Sequence, residues 1–160
     1  MVTANMMGIH DLLQDGAVCV QMPGESKEEV LNRLVDLLED HPDIADFDGM
    51  RAAIMKRESM MSTGVGNGLA LPHAKTSSVD GIVAAFATTA EPVAYDAIDG
   101  LPVRMLFMMV STERAKSQHI KLLSRVSRLM NDAGFRDRLL KAQRAEEVLK
   151  IFQEGELSLT

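Results

Sequence analysis

Arg57, His73 and His119 are residue types that can move or hold a charged group, and a glycine-rich run joins the first two. That run, TGVGNGLALPHAK over residues 63–75, sets Gly64, Gly66 and Gly68 at alternating positions. A short apolar segment follows, then Pro72 and, directly after it, His73. Glycine permits close backbone approach and proline fixes φ, so the pairing predicts a titratable side chain that must be placed accurately. The glycines do not form a dinucleotide loop, which requires Gly-x-Gly-x-x-Gly between a strand and a helix; here the third glycine comes one residue early and an apolar run follows. No Gly-x-x-x-x-Gly-Lys-Ser/Thr is present either. A zinc site would need further ligands, and the single cysteine, Cys19, supplies no thiolate set. For the glycines alone, the plain alternative is a flexible turn without function.

Of the four histidines, His10 near the terminus and His41 before a proline are expected to be exposed. His119 opens an apolar stripe, and spacing alone favours an inert boundary residue there. A second use of histidine fits the whole set better. Neutral imidazole is a good nucleophile near neutral pH. Attack on a phosphoryl group would leave a phosphohistidine whose charge must be held. Backbone N–H groups near glycines can approach such a group, an arginine can pair with its oxygens, and a second imidazole can donate to them or orient the first. The transition state needs positioning and charge stabilisation above all. Gly64, Gly66, Gly68, Arg57, His73 and His119 supply these parts, although spacing does not show that they converge.

The elements that must position them alternate between strand and helix. Ala17–Met22 reads as a short strand closed by Pro23-Gly24. Ser26 and Glu29 fit a capping box for a helix carrying Val30, Leu31, Leu34, Val35 and Leu38, ended by His41-Pro42. A second helix is expected over residues 47–58, with Phe47, Met50, Ala53 and Ile54 inward and Lys56, Arg57 and Glu58 at its end. Residues 69–71 read as a strand ended by Pro72, residues 81–88 as a buried strand, 91–102 as a loop and 103–110 as a central strand. Helices are expected over 116–130, with a stripe of His119, Leu122, Leu123, Val126, Leu129 and Met130, and over 133–141 and 145–154. This alternation predicts an α/β layer fold.

The 160 residues suit one domain, 1–160, with enough chain to bury a full core. Aromatics are scarce and Trp is absent, so the twelve Met are expected to serve partly as core filler. A net charge of −6 argues against a nucleic-acid partner, which usually demands a basic patch. Cys19, in the run AVCVQM, is expected to be a buried structural thiol. The longest apolar stretches reach about half the ~20 residues needed to span a bilayer. The amino-terminal MVTANMMGIHDLL lacks a basic region followed by an apolar core, so no signal peptide and a cytoplasmic location are expected.

Glu58, six intervening residues and then VGNGLALPHA (residues 65–74) closely resemble the phosphorylation-site pattern of enzyme IIA domains of the mannitol/fructose type, from the bacterial phosphoenolpyruvate-dependent phosphotransferase system. The resemblance extends over nearly the whole chain. Arg57-Glu58 ahead of Ser62-Thr63-Gly64, Glu91-Pro92-Val93 with Asp99-Gly100, His119-Ile120-x-x-Leu123, Phe135-x-x-x-Leu139 and Ala145-Glu146-Glu147 all resemble segments of that family. It implies a mixed sheet of about five strands with helices on both faces. It implies that His73 accepts a phosphoryl group, at Nε2, from a phosphorylated carrier protein of the HPr kind. Arg57 would contact the phosphoryl oxygens, His119 would orient or stabilise the phosphorylated state, and Thr63, Gly64, Gly66, Asn67 and Gly68 would line the phosphoryl group. No metal or cofactor is implied. Ile120 for the commoner Leu and Ala74 for the frequent Gly are mild departures, whereas Met60-Met61 alters a surface that would face a partner.

Three functional readings follow from the resemblance. In the first, His73 passes its phosphoryl group to a cysteine on a sugar-specific IIB domain. In the second, the chain is like the nitrogen-type enzyme IIA, whose phosphorylation state governs binding to regulatory targets. The run STGVGNG, the opening GIHDLL and a chain with no fused partner domain favour this second reading. In the third, the fold persists as an unphosphorylated scaffold, against which the intact Arg57, His73 and His119 argue.

Overall fold

A computed structural model describes residues 8–159. The amino-terminal stretch read above for a leader lies, up to residue 7, outside the described residues. In chain order the elements are α1 (Ile9–Asp15), β1 (Ala17–Met22), α2 (Lys27–Asp36), α3 (Phe47–Met60), β2 (Gly64–Gly66), β3 (Leu69–Ala70), β4 (His73–Lys75), β5 (Ile82–Val93), β6 (Val103–Ser111), α4 (Lys116–Met130), α5 (Ala133–Lys141) and α6 (Ala145–Leu157). A short 3-10 turn, Glu113–Ala115, leads into α4.

Among the described residues the sheet is mixed and has six strands, against the five or so expected. Its order is β1-β5-β6-β3-β2, with β4 also on β6. β5 and β6 form its antiparallel centre; β1 joins β5 in parallel, and β3 and β4 both join β6 in parallel. β3 pairs with β6 at Met105 and Leu106, and β4 pairs further along at Met109, Val110 and Ser111. The two are one strand line interrupted at Leu71-Pro72. Pro72 has no N–H for the ladder, while its carbonyl still accepts from Met109 N at 3.0 Å. His73 therefore opens a strand of its own, where the sequence reading left the strand ended at Pro72.

Alternation along the strands sorts the core into two layers. Leu69, Leu71, Met105, Phe107 and Met109 face α1, α4, α5 and α6. Ala70, Ala74, Leu106, Met108 and Val110 face α2 and α3. Methionine does fill core positions, at Met22, Met50, Met105, Met108, Met109 and Met130, whereas Met60 and Met61 are exposed. Four of the five phenylalanines nevertheless form one ring cluster. Phe152 on α6 lies edge-on to Phe86, Phe107 and Phe135, with centroids 5.3, 5.8 and 5.5 Å away.

Several local features differ from the sequence reading. α1 was not foreseen; its N-terminal Ile9 and His10 N–H groups bond to the Glu156 carboxylate of α6 at 2.8 and 3.0 Å. Ser26 caps α2 by accepting from Glu29 N, but the Glu29 carboxylate reaches Glu25 N rather than closing the box on Ser26. α2 ends at Asp36, well before His41-Pro42. The glycine stretch is a β2–β3 hairpin whose turn uses positive φ at Gly66 (99°), Asn67 (57°) and Gly68 (76°). β5 runs on to Val93 through residues read as loop; its register to β6 slips between Thr88 and Val93, and Pro92 falls in that gap. His10 and His41 are half-buried rather than exposed, His10 beside Asp11 and His41 accepting from Asp43 N. Cys19 is half-buried; burial pushes its thiol pKa up, with the nearby Arg33 charge opposing.

Phe152→Ala removes the ring on which three others converge, and is expected to lower the unfolding free energy by about 3–5 kcal/mol in urea titration.

Candidate functional site

The strand break at Pro72 decides where His73 points. Leu71 and Met109, which neighbour His73 along and across the ladder, both face the α4 layer, and Ala74 faces the other. The His73 side chain consequently lies on the α4 side, half-buried. Its Nδ1 is 2.7 Å from the carbonyl oxygen of Leu71. A carbonyl only accepts, so Nδ1 carries the proton and donates. The neutral ring then keeps its lone pair on Nε2.

α4 brings the second histidine. Its inner stripe of Leu122, Val126 and Leu129 seats the helix on the sheet, and His119 continues that stripe at the first turn. The two imidazole centroids are 5.7 Å apart with ring planes at 63°. His119 is 2% exposed, and its Nδ1 is 2.6 Å from Ser111 Oγ at the end of β6. Its Nε2 is buried and has no hydrogen-bond partner among the described residues. Burial above all, then the charges of His73 and Lys75, push its pKa down to about 4. It is neutral at physiological pH. Spacing alone favoured an inert boundary residue, but the structure sets His119 against His73 with one ring nitrogen unspent.

The remaining predicted residues have other placements. Arg57, half-buried near the end of α3, donates from Nη1 to the Met61 carbonyl at 3.0 Å. Thr63 faces Leu71 across the hairpin and accepts its N–H at 2.9 Å through its carbonyl. Gly64 follows, so close to the next loop that a Cβ there would meet the Ala97 Cα at 2.8 Å. Its N–H already donates to Ser62 Oγ, and Asn67 N–H donates to Asp99 Oδ2. Gly68 receives Arg104 N and Met105 N on its carbonyl. Met105 is four positions along β6 from Met109, the partner of His73, which places the hairpin tip of Gly66, Asn67 and Gly68 about 13 Å along the strand from His73. Arg104 sits at that far end. Lys75 shares the His73 face of β4 and lines an open groove of about 520 Å³ with Thr76, Asp80, Thr112 and Arg114.

Sequence reasoning missed what anchors the hairpin. The Glu58 carboxylate is buried. It accepts from Thr63 N at 2.6 Å, from Thr63 Oγ1, and from the Tyr95 hydroxyl at 2.8 Å, and it pairs with Lys27 Nζ at 3.2 Å. Lys27 Nζ also lies over the Tyr95 ring, 4.5 Å from its centroid. Burial first, helped by the Glu58 charge, raises the Tyr95 phenol far above its ordinary range. The signal was present in the helix phase: Met50, Ile54 and Glu58 recur every four residues on one face, so Glu58 shares the inward face of α3.

Among the described residues no group of three or more His, Cys, Asp or Glu is placed to hold a metal ion, and no helix is long and apolar enough to cross a membrane.

The family model for the phosphoenolpyruvate-dependent sugar phosphotransferase system, EIIA 2, matches residues 11–155. A fructose-specific EIIABC component of this system from Bacillus subtilis is 34% identical over 148 residues, which cover 92% of this chain and 23% of that protein. A nitrogen regulatory protein from Pseudomonas aeruginosa is also 34% identical over 148 residues, covering 91% of this chain and 95% of that protein. Among solved structures, the nitrogen regulatory protein IIA-Ntr from Neisseria meningitidis superposes with a TM-score of 0.83 at 30% identity, over 90% of this chain and 98% of that one.

Two outcomes follow from the geometry. Glu58→Ala strands Thr63 N, the Tyr95 hydroxyl and Lys27, and is expected to cost about 3 kcal/mol of stability in urea titration. His119 is held neutral in the folded chain, while in the unfolded chain it takes up a proton near its ordinary pKa of 6.5. Stability should therefore fall as pH drops from about 6.5 towards 4, and the His119 contribution should be intact above that window. His119→Gln should show a smaller loss than wild type between pH 7 and pH 5 in paired unfolding titrations.

Proposed function

The chain belongs to the EIIA 2 family of the phosphoenolpyruvate-dependent sugar phosphotransferase system, and from that membership we propose that His73 is its phosphoryl acceptor and that its donor is a phosphorylated HPr-type carrier. A phosphocarrier role fits the family; the phosphohistidine and its residues are our reading. The observation that carries it is the His73 hydrogen bond. With Nδ1–H held by the Leu71 carbonyl, the neutral ring presents its lone pair on Nε2. That pair attacks the phosphorus on the carrier. A new N–P bond forms on His73 as the carrier's N–P bond breaks, and the leaving imidazole keeps the bonding electrons. No cofactor enters the balance.

The other residues act on charge and position. His119 stands beside the acceptor with a buried Nε2 that has no partner among the described residues. It is suited to hold a phosphoryl oxygen. Arg57 lends its guanidinium to the same oxygens, in place of its contact with the Met61 carbonyl. Thr63 and Gly64 lie at the His73 end of the hairpin and border the phosphoryl group, whereas Gly66, Asn67 and Gly68 act by shaping the turn.

The use of the phosphoryl group divides the family. We read the chain as the nitrogen-type regulatory component. The match to nearly the full length of the P. aeruginosa nitrogen regulatory protein and the likeness to IIA-Ntr support this. Phosphorylation adds about −1.5 to −2 charges beside His119, enough to change which partner surface binds there. The equal identity to the fructose-specific EIIABC component favours the alternative, in which His73 hands the group to a IIB domain.

The test mixes the protein with phosphoenolpyruvate, enzyme I and an HPr-type carrier and reads intact mass. Wild type is expected to gain one acid-labile phosphoryl group and His73→Ala none; uptake by the mutant, or none by wild type, overturns the reading. Label that stays on His73 in the presence of IIB domains supports the regulatory assignment, and label that moves to a IIB cysteine replaces it with the sugar-transport one.

A further inference from the structure

Ser111 is the last residue of β6 and is fully buried. It alternates with Met109 onto the α4 side of the sheet, and the 3-10 turn and first turn of α4 fold back to set His119 over it. Its hydroxyl meets His119 Nδ1 at 2.6 Å. A neutral imidazole has one N–H, so this contact has two arrangements. If Nδ1–H donates to Ser111, the Ser111 hydroxyl proton is left without an acceptor among the described residues. Nε2 then becomes a buried lone pair, which repels a phosphoryl oxygen. If the Ser111 hydroxyl donates to Nδ1, the hydroxyl proton and the Nδ1 lone pair are both satisfied. The proton then sits on Nε2, and one buried donor is left over on a ring whose centroid lies 5.7 Å from that of His73. The second arrangement leaves fewer buried groups unpaired, and an unpaired buried polar group is costly.

We propose that Ser111 is a positioning residue that fixes His119 as the Nε2–H tautomer, so that the phosphorylated state of His73 receives a hydrogen-bond donor in place of a lone pair. The inference rests on His73 as the acceptor. The two imidazoles are thereby set in opposite senses: the Leu71 carbonyl frees the Nε2 lone pair of His73 for attack, and the Ser111 hydroxyl arms the Nε2–H of His119 for what the attack leaves behind. In the resting state the His119 donor is unspent, and the phosphoryl group satisfies it. A hydroxyl suits the task better than a carboxylate. A carboxylate at Nδ1 would favour the charged imidazolium, whereas the hydroxyl selects a tautomer and leaves the ring neutral.

The experiment is proton–nitrogen correlation of the histidine rings in the whole protein at pH 7, for wild type and Ser111→Ala, followed by phosphoryl partition between each protein and an HPr-type carrier. Wild-type His119 is expected with its proton on Nε2. Ser111→Ala is expected to populate the Nδ1–H form and to shift the partition towards the carrier by about tenfold, the loss of one hydrogen bond to a charged group. A wild-type His119 protonated on Nδ1 overturns the proposal whether or not Ser111→Ala folds. So does a folded Ser111→Ala with wild-type tautomer and partition. Failure of His73 to take up a phosphoryl group would remove the functional reading and is scored separately, because the ring tautomer of the unmodified protein still decides the Ser111 assignment.

Discussion

Pro72 has no N–H to give, and the end of the sheet that carries the imidazoles is organised around that gap. A residue with an amide would let β3 and β4 run as one continuous strand along β6. With proline, the line breaks after Ala70 and restarts at His73, and the Pro72 carbonyl, which accepts from Met109 N, carries the register across the break. The break leaves Leu71 with two duties. Its N–H ties the strand to Thr63 across the hairpin, and its carbonyl holds His73 Nδ1. The orientation of the reactive ring is thus set by backbone atoms of a neighbour two residues away, which side-chain motion cannot easily disturb.

The hairpin is held in turn from the opposite layer. The Glu58 carboxylate on α3 receives both the backbone and the hydroxyl of Thr63, and Tyr95 and Lys27 complete its partners. A buried carboxylate is tolerable only when its acceptor sites are filled, and here the filling groups come from α2, the segment after α3 and the segment after β5. A chain of hydrogen bonds therefore runs from this carboxylate through Thr63 and Leu71 to His73. The glycines of the same run let the hairpin turn and let it lie close against residues 95–99.

Much of this was legible in the residues. β1, α4 and α5 fall on the spans that periodicity predicts, and β6 and α3 differ from them only at an end. The histidine after the proline was conspicuous as chemistry before any fold was known. What could not be read has identifiable causes. The strand read over 69–71 stands as β3, but β2 and β4 have three residues each, too few for a period to show. α1 has seven residues and draws its N-terminal bonds from a carboxylate far along the chain. β5 passes through Pro92 only because its register slips there, and a register slip leaves no mark in composition. Glu58 was read as part of a charged helix end when its phase placed it inward. That His119 meets His73 depends on the turn after Ser111, and spacing gives no account of that.

The tie between Glu156 and the start of α1 has a consequence for how the molecule opens. A helix of seven residues has almost no stability of its own in water. Its first N–H groups are held by a carboxylate on α6, and Ile9, Leu12 and Leu13 share one core layer with Val148, Ile151 and Phe152. α1 cannot fray while α6 stays docked, and α6 cannot lift without stripping α1 of its anchor. The two helices are therefore expected to open as one cooperative unit, protected or exposed together in amide exchange, although more than a hundred residues of chain separate them.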